Sequence, residues 1–484
     1  MDDDDVMVNE EANDELKAKS EARRQFMLEG PLTKVIFITA VPMVVTMLVD
    51  SLYNMADTFF VSQLGFAATA AVGVNDSLMM VIRSIALGFG VGSSSYISRA
   101  LGAKDDKQAS QAASTTLFTA IVVLFLIATV GGSIFLSPLV DLLGATESVK
   151  PYSMDYAKWI LLSAPVTATT VCLSQMLRAE GNTKYSMWGS VSGCIINVIL
   201  DPILISTFGM GVAGAAIATD ISKVISACIL LYPYIKRKCI IQIHPKFFTP
   251  TKEIYAEIAK MGIPTVLRTS LMSISTITIN NVAASFGDVA LAAISISTKS
   301  MKFIGSAIMG FGQGFQPVAG YSWGAKKYGR VLEGFKITTI IGAVIGVVAG
   351  GLLALTADQV ISIFSTDERV IELGRILIVT QSIVLAPHMW IMIVTGFFQA
   401  LGKPTQAAVM GLSRQLLALI PSVLILSHFF GVYGLAVSQA ASDFVSFTVA
   451  VILIVPAIKE IKKLANEQQQ GQGVEAKTVV VQGD

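Results

Sequence analysis

The chain has 484 residues, of which 53% are hydrophobic and 14% charged, with a formal net charge of +1. Soluble domains carry about 25% charged residues, so one large soluble enzyme is excluded, and so is disorder, which requires low hydrophobicity. A near-neutral balance offers nucleic acid no global attraction, and no nucleic-acid partner is expected. Residues 1–31 form a charged tail that opens Asp2-Asp3-Asp4-Asp5 and is expected to be solvated and cytoplasmic. No cleavable signal peptide is expected, because the first apolar segment follows this tail and exceeds a signal-peptide core.

A helix crossing a bilayer needs about 20 largely apolar residues. Twelve stretches qualify: 35–61, 69–96, 109–136, 156–177, 185–208, 212–235, 254–284, 289–315, 335–355, 375–398, 406–429 and 432–458. Their continuity favours helices over the short alternating strands of a membrane barrel. Cys172, Cys194, Cys228 and Cys239 have no CxxC spacing, and His244, His388 and His428 are scattered. Structural thiols are expected, with no zinc site.

Basic residues mark cytoplasmic loops. Arg23 and Arg24, Arg99 and Lys104, Arg178 and Lys184, Lys236 to Lys238, Lys326 and Arg330, Lys403, and Lys459 to Lys463 fall on alternate connections. The intervening connections hold few, chiefly Lys150 and Arg369. The alternation predicts a multi-pass protein of the inner (plasma) membrane with both termini cytoplasmic.

An internal repeat is visible at one offset. Gly88-Phe89-Gly90 and Gly102-Ala103-Lys104 recur 222 positions later as Gly310-Phe311-Gly312 and Gly324-Ala325-Lys326. Pro42 and Pro264, and Pro165 and Pro387, share that offset. The expected organisation is an N-lobe over 32–236, a cytoplasmic linker over 237–253, a C-lobe over 254–460 and a C-terminal tail over 461–484. The fold class is therefore all-α and integral to the membrane, with two pseudo-symmetric six-helix bundles facing a central cleft. Parallel repeats of this kind suit a transporter that rocks one half against the other.

Charges inside a membrane are costly and usually functional. In the first segment Asp50, Asn54 and Asp57 recur at i, i+4 and i+7 and share one face. In the fifth, Asn197 and Asp201 are one turn apart, and Pro202 frees a carbonyl by removing a donor. Interhelical polar contacts are the structural alternative. Oxygen donors of this kind suit a hard cation such as Na+, and crowded buried carboxylates hold a proton or a cation rather than stand bare. Thr219 and Asp220 interrupt the sixth segment, with Lys223 one turn on. The position equivalent to Asp57 in the second half is Ile279, which confines ion coupling to the first half. No Walker motif is present, so coupling to an ion gradient is favoured over nucleotide drive. Of the 19 Met, several crowd the first two segments, where thioethers suit promiscuous apolar binding or ordinary packing.

The residues Pro42, Leu52-Tyr53-Asn54-Met55-Ala56-Asp57-Thr58, Gly65, Gly88-Phe89-Gly90, Gly102-Ala103 and Asn197 to Pro202 together resemble the multidrug and toxic compound extrusion (MATE) family, in particular its MepA-like branch. The resemblance runs from Gly30 to about Pro456. It implies a non-enzymatic twelve-helix antiporter that expels organic cations and amphipathic drugs in exchange for H+ or Na+. Asp57, Asn197, Asp201 and Thr219 match the family's N-lobe cation site, where Na+ is possible. Pro42 matches the kink of the first helix, with Pro202 as a second bend. Asp50 matches a cavity position, and Tyr53, Asn54, Gln175 and Met176 complete the expected substrate cavity. No cofactor beyond the coupling ion is implied. The expected partners are small amphipathic or cationic substrates and membrane lipids, and the chain is expected to be monomeric. The alternative reading is a flippase for a lipid or lipid-linked glycan.

Overall fold

The computed structural model describes residues 18, 21–64, 66–133, 135–143, 146, 147 and 149–481. The acidic run Asp2 to Asp5 and Gly65 lie outside them. The described chain is almost entirely helical. In the N-lobe, α1 (Leu32–Ser62), α2 (Phe66–Gly102) and α3 (Asp106–Ser133) are followed by the short α4 (Leu136–Leu142). Then come α5 (Lys150–Leu162), α6 (Ala164–Ala179), α7 (Thr183–Pro202) and α8 (Gly211–Ile235). The C-lobe repeats the order with α9 (Lys252–Ser285), α10 (Asp288–Gly324), α11 (Tyr328–Leu355) and the short α12 (Ala357–Ser362). It closes with α13 (Glu368–Ile383), α14 (Leu385–Ala400), α15 (Pro404–Leu412) and α16 (Ile420–Val481).

Among the described residues, seven helices are long and apolar enough to cross a membrane singly, and two bent pairs raise this to nine. The pairs are α5 with α6, bent by 48°, and α13 with α14, bent by 50°. Each bend precedes an Ala-Pro dipeptide, Ala164-Pro165 or Ala386-Pro387. Proline removes a backbone donor and disfavours helix in the residue before it, so the repeat breaks both crossings alike. The fourth and tenth segments, expected to be continuous, are therefore each two helices. Gly431, at φ 59°, divides α16 into two crossings. α9 and α10, at 34 and 37 residues, complete the twelve. They carry Arg268, Lys299 and Lys302 and are less uniformly apolar because they border the cleft.

An exposed apolar belt surrounds the bundles, including Phe37, Val41, Phe125, Trp188, Ile340, Val344, Leu424 and Phe444. In water such a surface would aggregate, and in lipid it is the solvated face. The lobes meet through α1 against α10, α9 against α2 and α2 against α10. Those crossings approach closely near the linker because glycine stands where a side chain would collide. A Cβ on Gly102 would lie 2.2 Å from Tyr321 O, and one on Gly324 2.0 Å from Arg99 O. Gly92 and Gly314 stand in the same relation to Ile258 O, at 2.3 Å, and Ala40 Cα, at 2.2 Å. These pairs obey the 222-residue offset, so one packing motif is used twice. Small residues of this kind let membrane helices touch backbone to backbone.

Polar contacts seal the same end. Arg99 pairs with Glu257 at 2.9 Å across the lobes. Arg330 donates to the carbonyls of Met27 at 3.1 Å and Gly30 at 2.7 Å. Those carbonyls end the helical turn that precedes α1, so the cation sits at its negative pole. Arg178, expected as a loop charge, is instead 8% exposed and donates to Gln313 of the C-lobe at 2.6 Å. At the opposite end Asn54 and Arg83 are exposed and Asp50 half-buried. The cleft thus opens away from the linker.

Candidate ion-coupling site and interlobe cleft

The second half of α7 is interrupted by polar side chains on its buried face. Asn197 and Asp201 are 1% and 0% exposed, whereas Ile195 and Ile199 on the other face are 53% and 55% exposed. After Pro202 the winding widens to a π turn over Ile203–Thr207. That departure follows from the missing proline donor.

Asn197 links α7 to α8. In the orientation that satisfies both ends of its amide, it donates to Asp201 Oδ2 at 2.9 Å and accepts from Thr219 N at 3.1 Å. Its oxygen also lies 3.3 Å from Thr219 Oγ1. The Tyr53 phenol of α1 sits beside Thr219, in the fields of Asp57 and Asp201. Asp57 and Asp201 are within electrostatic reach of one another. Asp57 Oδ1 is shut off from solvent and accepts no hydrogen bond. Leaving a buried carboxylate oxygen unsatisfied costs about 1–3 kcal/mol, more when charged.

The structure therefore brings Asp57, Asn197, Asp201 and Thr219 together from α1, α7 and α8. Among the described residues no three His, Cys, Asp or Glu side chains converge as a metal site, so the oxygen set depends on the amide and hydroxyl. Pro42 lies inside α1, which continues through it as one helix over Leu32–Ser62, and Thr46 Oγ1 donates to the Pro42 carbonyl at 2.8 Å.

The residues read as substrate contacts divide. Asp50 is paired with Arg83 at 3.5 Å and accepts from Cys194 Sγ at 3.5 Å. Asn54 is exposed, and its amide donates to the Asp50 carbonyl at 2.5 Å. Gln175 packs below Gly90 and is 8% exposed. Met176 is 0% exposed and belongs to the N-lobe core, so it presents no surface to the cleft, a correction to its expected place. Amphipathic spacing alone does not separate the face toward the cleft from the face toward a neighbouring helix.

Asp76 on α2 is a residue that sequence reasoning missed. Its charge acts on Asp57, and Lys302 of the C-lobe acts on it in turn. The signal was available, since Asp76 is an acid inside the apolar run 69–96. Neighbouring Asn75 is 0% exposed and donates to Ser153 Oγ at 2.7 Å, which fixes this part of α2 against α5.

Three comparisons with known proteins bear on the family and the fold of the chain. The MatE family model matches twice, over residues 42–203 and 264–424. The multidrug export protein MepA of Staphylococcus aureus is 30% identical over 431 residues, covering 88% of this chain and 94% of that one. A MATE crystal structure in complex with MaL6 superposes with a TM-score of 0.86 at 27% identity, covering 90% of this chain and 99% of that chain. A multidrug resistance MATE transporter of the MOP superfamily in an outward-facing conformation gives 0.84 at 26% identity, covering 90% and 98%. With two family-model matches, one on each six-helix repeat, and MepA homology along most of its length, the chain belongs to the MATE family of multidrug efflux transporters.

Proposed function

We propose that this transporter is a secondary active antiporter that exports organic cations and amphipathic drugs in exchange for H+ or Na+ by alternating access. The observation that carries the proposal is the N-lobe cluster. Asp57 holds an unpartnered buried oxygen beside Asp201 and Asp76, while the linker end is packed shut. A proton or a cation neutralises such a group, and a cationic drug in the cleft competes for the same field. Entry of the ion on one side and of the drug on the other then couples the two fluxes through one rocking equilibrium.

In this reading Asp57, Asn197, Asp201 and Thr219 take the coupling ion, and Pro42 and Pro202 are the points where α1 and α7 yield. Asp50, Tyr53, Asn54 and Gln175 meet the substrate. The chain works as a monomer in the plasma membrane, with lipid around its apolar belt and both termini in the cytoplasm. The name of the staphylococcal relative, a multidrug export protein, supports the substrate class.

Proteoliposomes loaded with a fluorescent organic cation test the proposal, with sodium and proton gradients imposed separately. Efflux driven by one of them and lost in Asp57→Asn is the expected result. No response to either gradient refutes antiport, and normal coupling in Asp57→Asn refutes the site.

A further inference from the structure

The two lobes differ in the acids of their central helices. The N-lobe helices carry Asp50, Asp57, Asp76, Asp201 and Asp220, of which Asp50 faces Arg83 and Asp220 faces Lys223, whereas the C-lobe helices carry Arg268, Arg414 and His388 with Asp443. Asp443 is 5% exposed and already committed. It accepts from Arg414 Nε at 2.6 Å and lies 3.1 Å from His388 Nδ1. Arg414 sits on a π turn, Ser413–Leu419, a distortion common at functional sites because it re-aims one side chain in an otherwise regular helix.

Arg268 on α9 has no such partner. Its Nε is shut off from solvent without a hydrogen bond, and among the described residues it joins no ion pair. Gly411 leaves room for it: a Cβ there would meet the Arg268 stem at 3.3–3.4 Å. Arg268 and Arg414 are close enough to feel each other's charge. Phe447, one turn from Asp443, packs on Trp390 with ring centroids 4.8 Å apart. α9 also borders the interlobe cleft, since Val266 meets Gly88 and Ser273 donates to Met80 Sδ at 2.8 Å. A half-buried guanidinium whose Nε has no acceptor is costly to hold, and its fork matches a carboxylate in two parallel hydrogen bonds.

We propose that Arg268, supported by Arg414, forms a C-lobe subsite for the carboxylate of a zwitterionic amphipath whose cationic end faces the N-lobe acids. The subsite rests on the drug-export reading and deepens it. It orients such a molecule across the cleft and separates zwitterions from simple cations within one substrate range.

The test uses the full chain in lipid nanodiscs and one matched dye pair, a cationic rhodamine ethyl ester and the zwitterionic free acid of the same dye. Fluorescence anisotropy gives both affinities without any gradient. The wild-type chain is expected to bind the acid at least as tightly as the ester. Arg268→Gln is expected to weaken the acid by about tenfold or more, the worth of a charge-assisted hydrogen bond, and to leave the ester within about twofold. Arg268→Lys keeps the charge without the fork and is expected to fall between. Equal loss of both dyes, or an unchanged acid, overturns the subsite and leaves Arg268 a packing residue. If Arg268→Gln fails to fold, the wild-type pair decides, since about tenfold weaker binding of the acid than of the ester also overturns it. Binding of neither dye to the wild-type chain refutes the drug-export reading and the subsite with it.

Discussion

Substituting Gly324 tests whether backbone contact holds the linker end shut. A Cβ at 324 would stand 2.0 Å from Arg99 O, whereas ordinary contact begins at 3.4 Å, so α10 and α2 must part by about 1.4 Å (3.4 − 2.0). Both partners are helical backbone, and neither has a rotamer with which to step aside. Overpacking of this kind costs about 1–3 kcal/mol. The cost exists only while the lobes touch, and alanine's better helix propensity acts equally in both states. Gly324→Ala is therefore expected to shift the balance toward the state open at the linker end by about 5- to 150-fold, at 1.4 kcal/mol per tenfold. Spin labels on Lys107→Cys and Glu333→Cys, both exposed at that end, report the separation once the exposed Cys228 is replaced by serine. Gly305→Ala in the same helix is the control, because nothing lies within 4 Å of its Cβ position. A distance distribution for Gly324→Ala that matches the Gly305→Ala control would refute the reasoning.

Three further outcomes are expected. Glu180, in the loop between α6 and α7, accepts from Ile240 N at 3.1 Å and Ile241 N at 3.3 Å and clamps the linker. Burial pushes its carboxyl from 4.5 up to about 7, against the charge of Arg23 and those backbone donors. The folded chain then binds the extra proton between those values. This part of its stability, of the order of 3 kcal/mol, is present below pH 4.5 and lost as the pH rises to about 7. Thermal unfolding across that window is expected to show the decline, and Glu180→Gln to flatten it; an equal slope in both chains counts against the clamp. Asp443→Asn strands Arg414 without its partner and is expected to destabilise by about 3–5 kcal/mol, read from denaturation in detergent; a loss under 1 kcal/mol would show that the pair is solvated. Asp76→Asn is expected to change the ion affinity of the Asp57 cluster without lowering the melting temperature, checked by ion-dependent drug binding; an unchanged affinity removes Asp76 from the site.

The sequence by itself determined the fold class, because twelve apolar runs leave a chain few ways to satisfy its backbone in lipid. The 222-residue offset likewise marked paired positions, Pro165 with Pro387 and the two glycine runs, but the bends and the close contacts they form were seen only in the structure. It also marked Asn197 and Asp201, since one turn of helix fixes their shared face without reference to anything distant. What only the tertiary structure decided is which faces meet. Met176 and Arg178 had the spacing and charge of cleft and loop residues, yet α6 turns them into the core and against the C-lobe. Asp76 joins Asp57 from another helix, and among the described residues Arg268 joins no ion pair while Arg414 holds Asp443. Such pairings depend on helix rotation and on contacts between residues far apart in the chain. Local spacing carries no record of either.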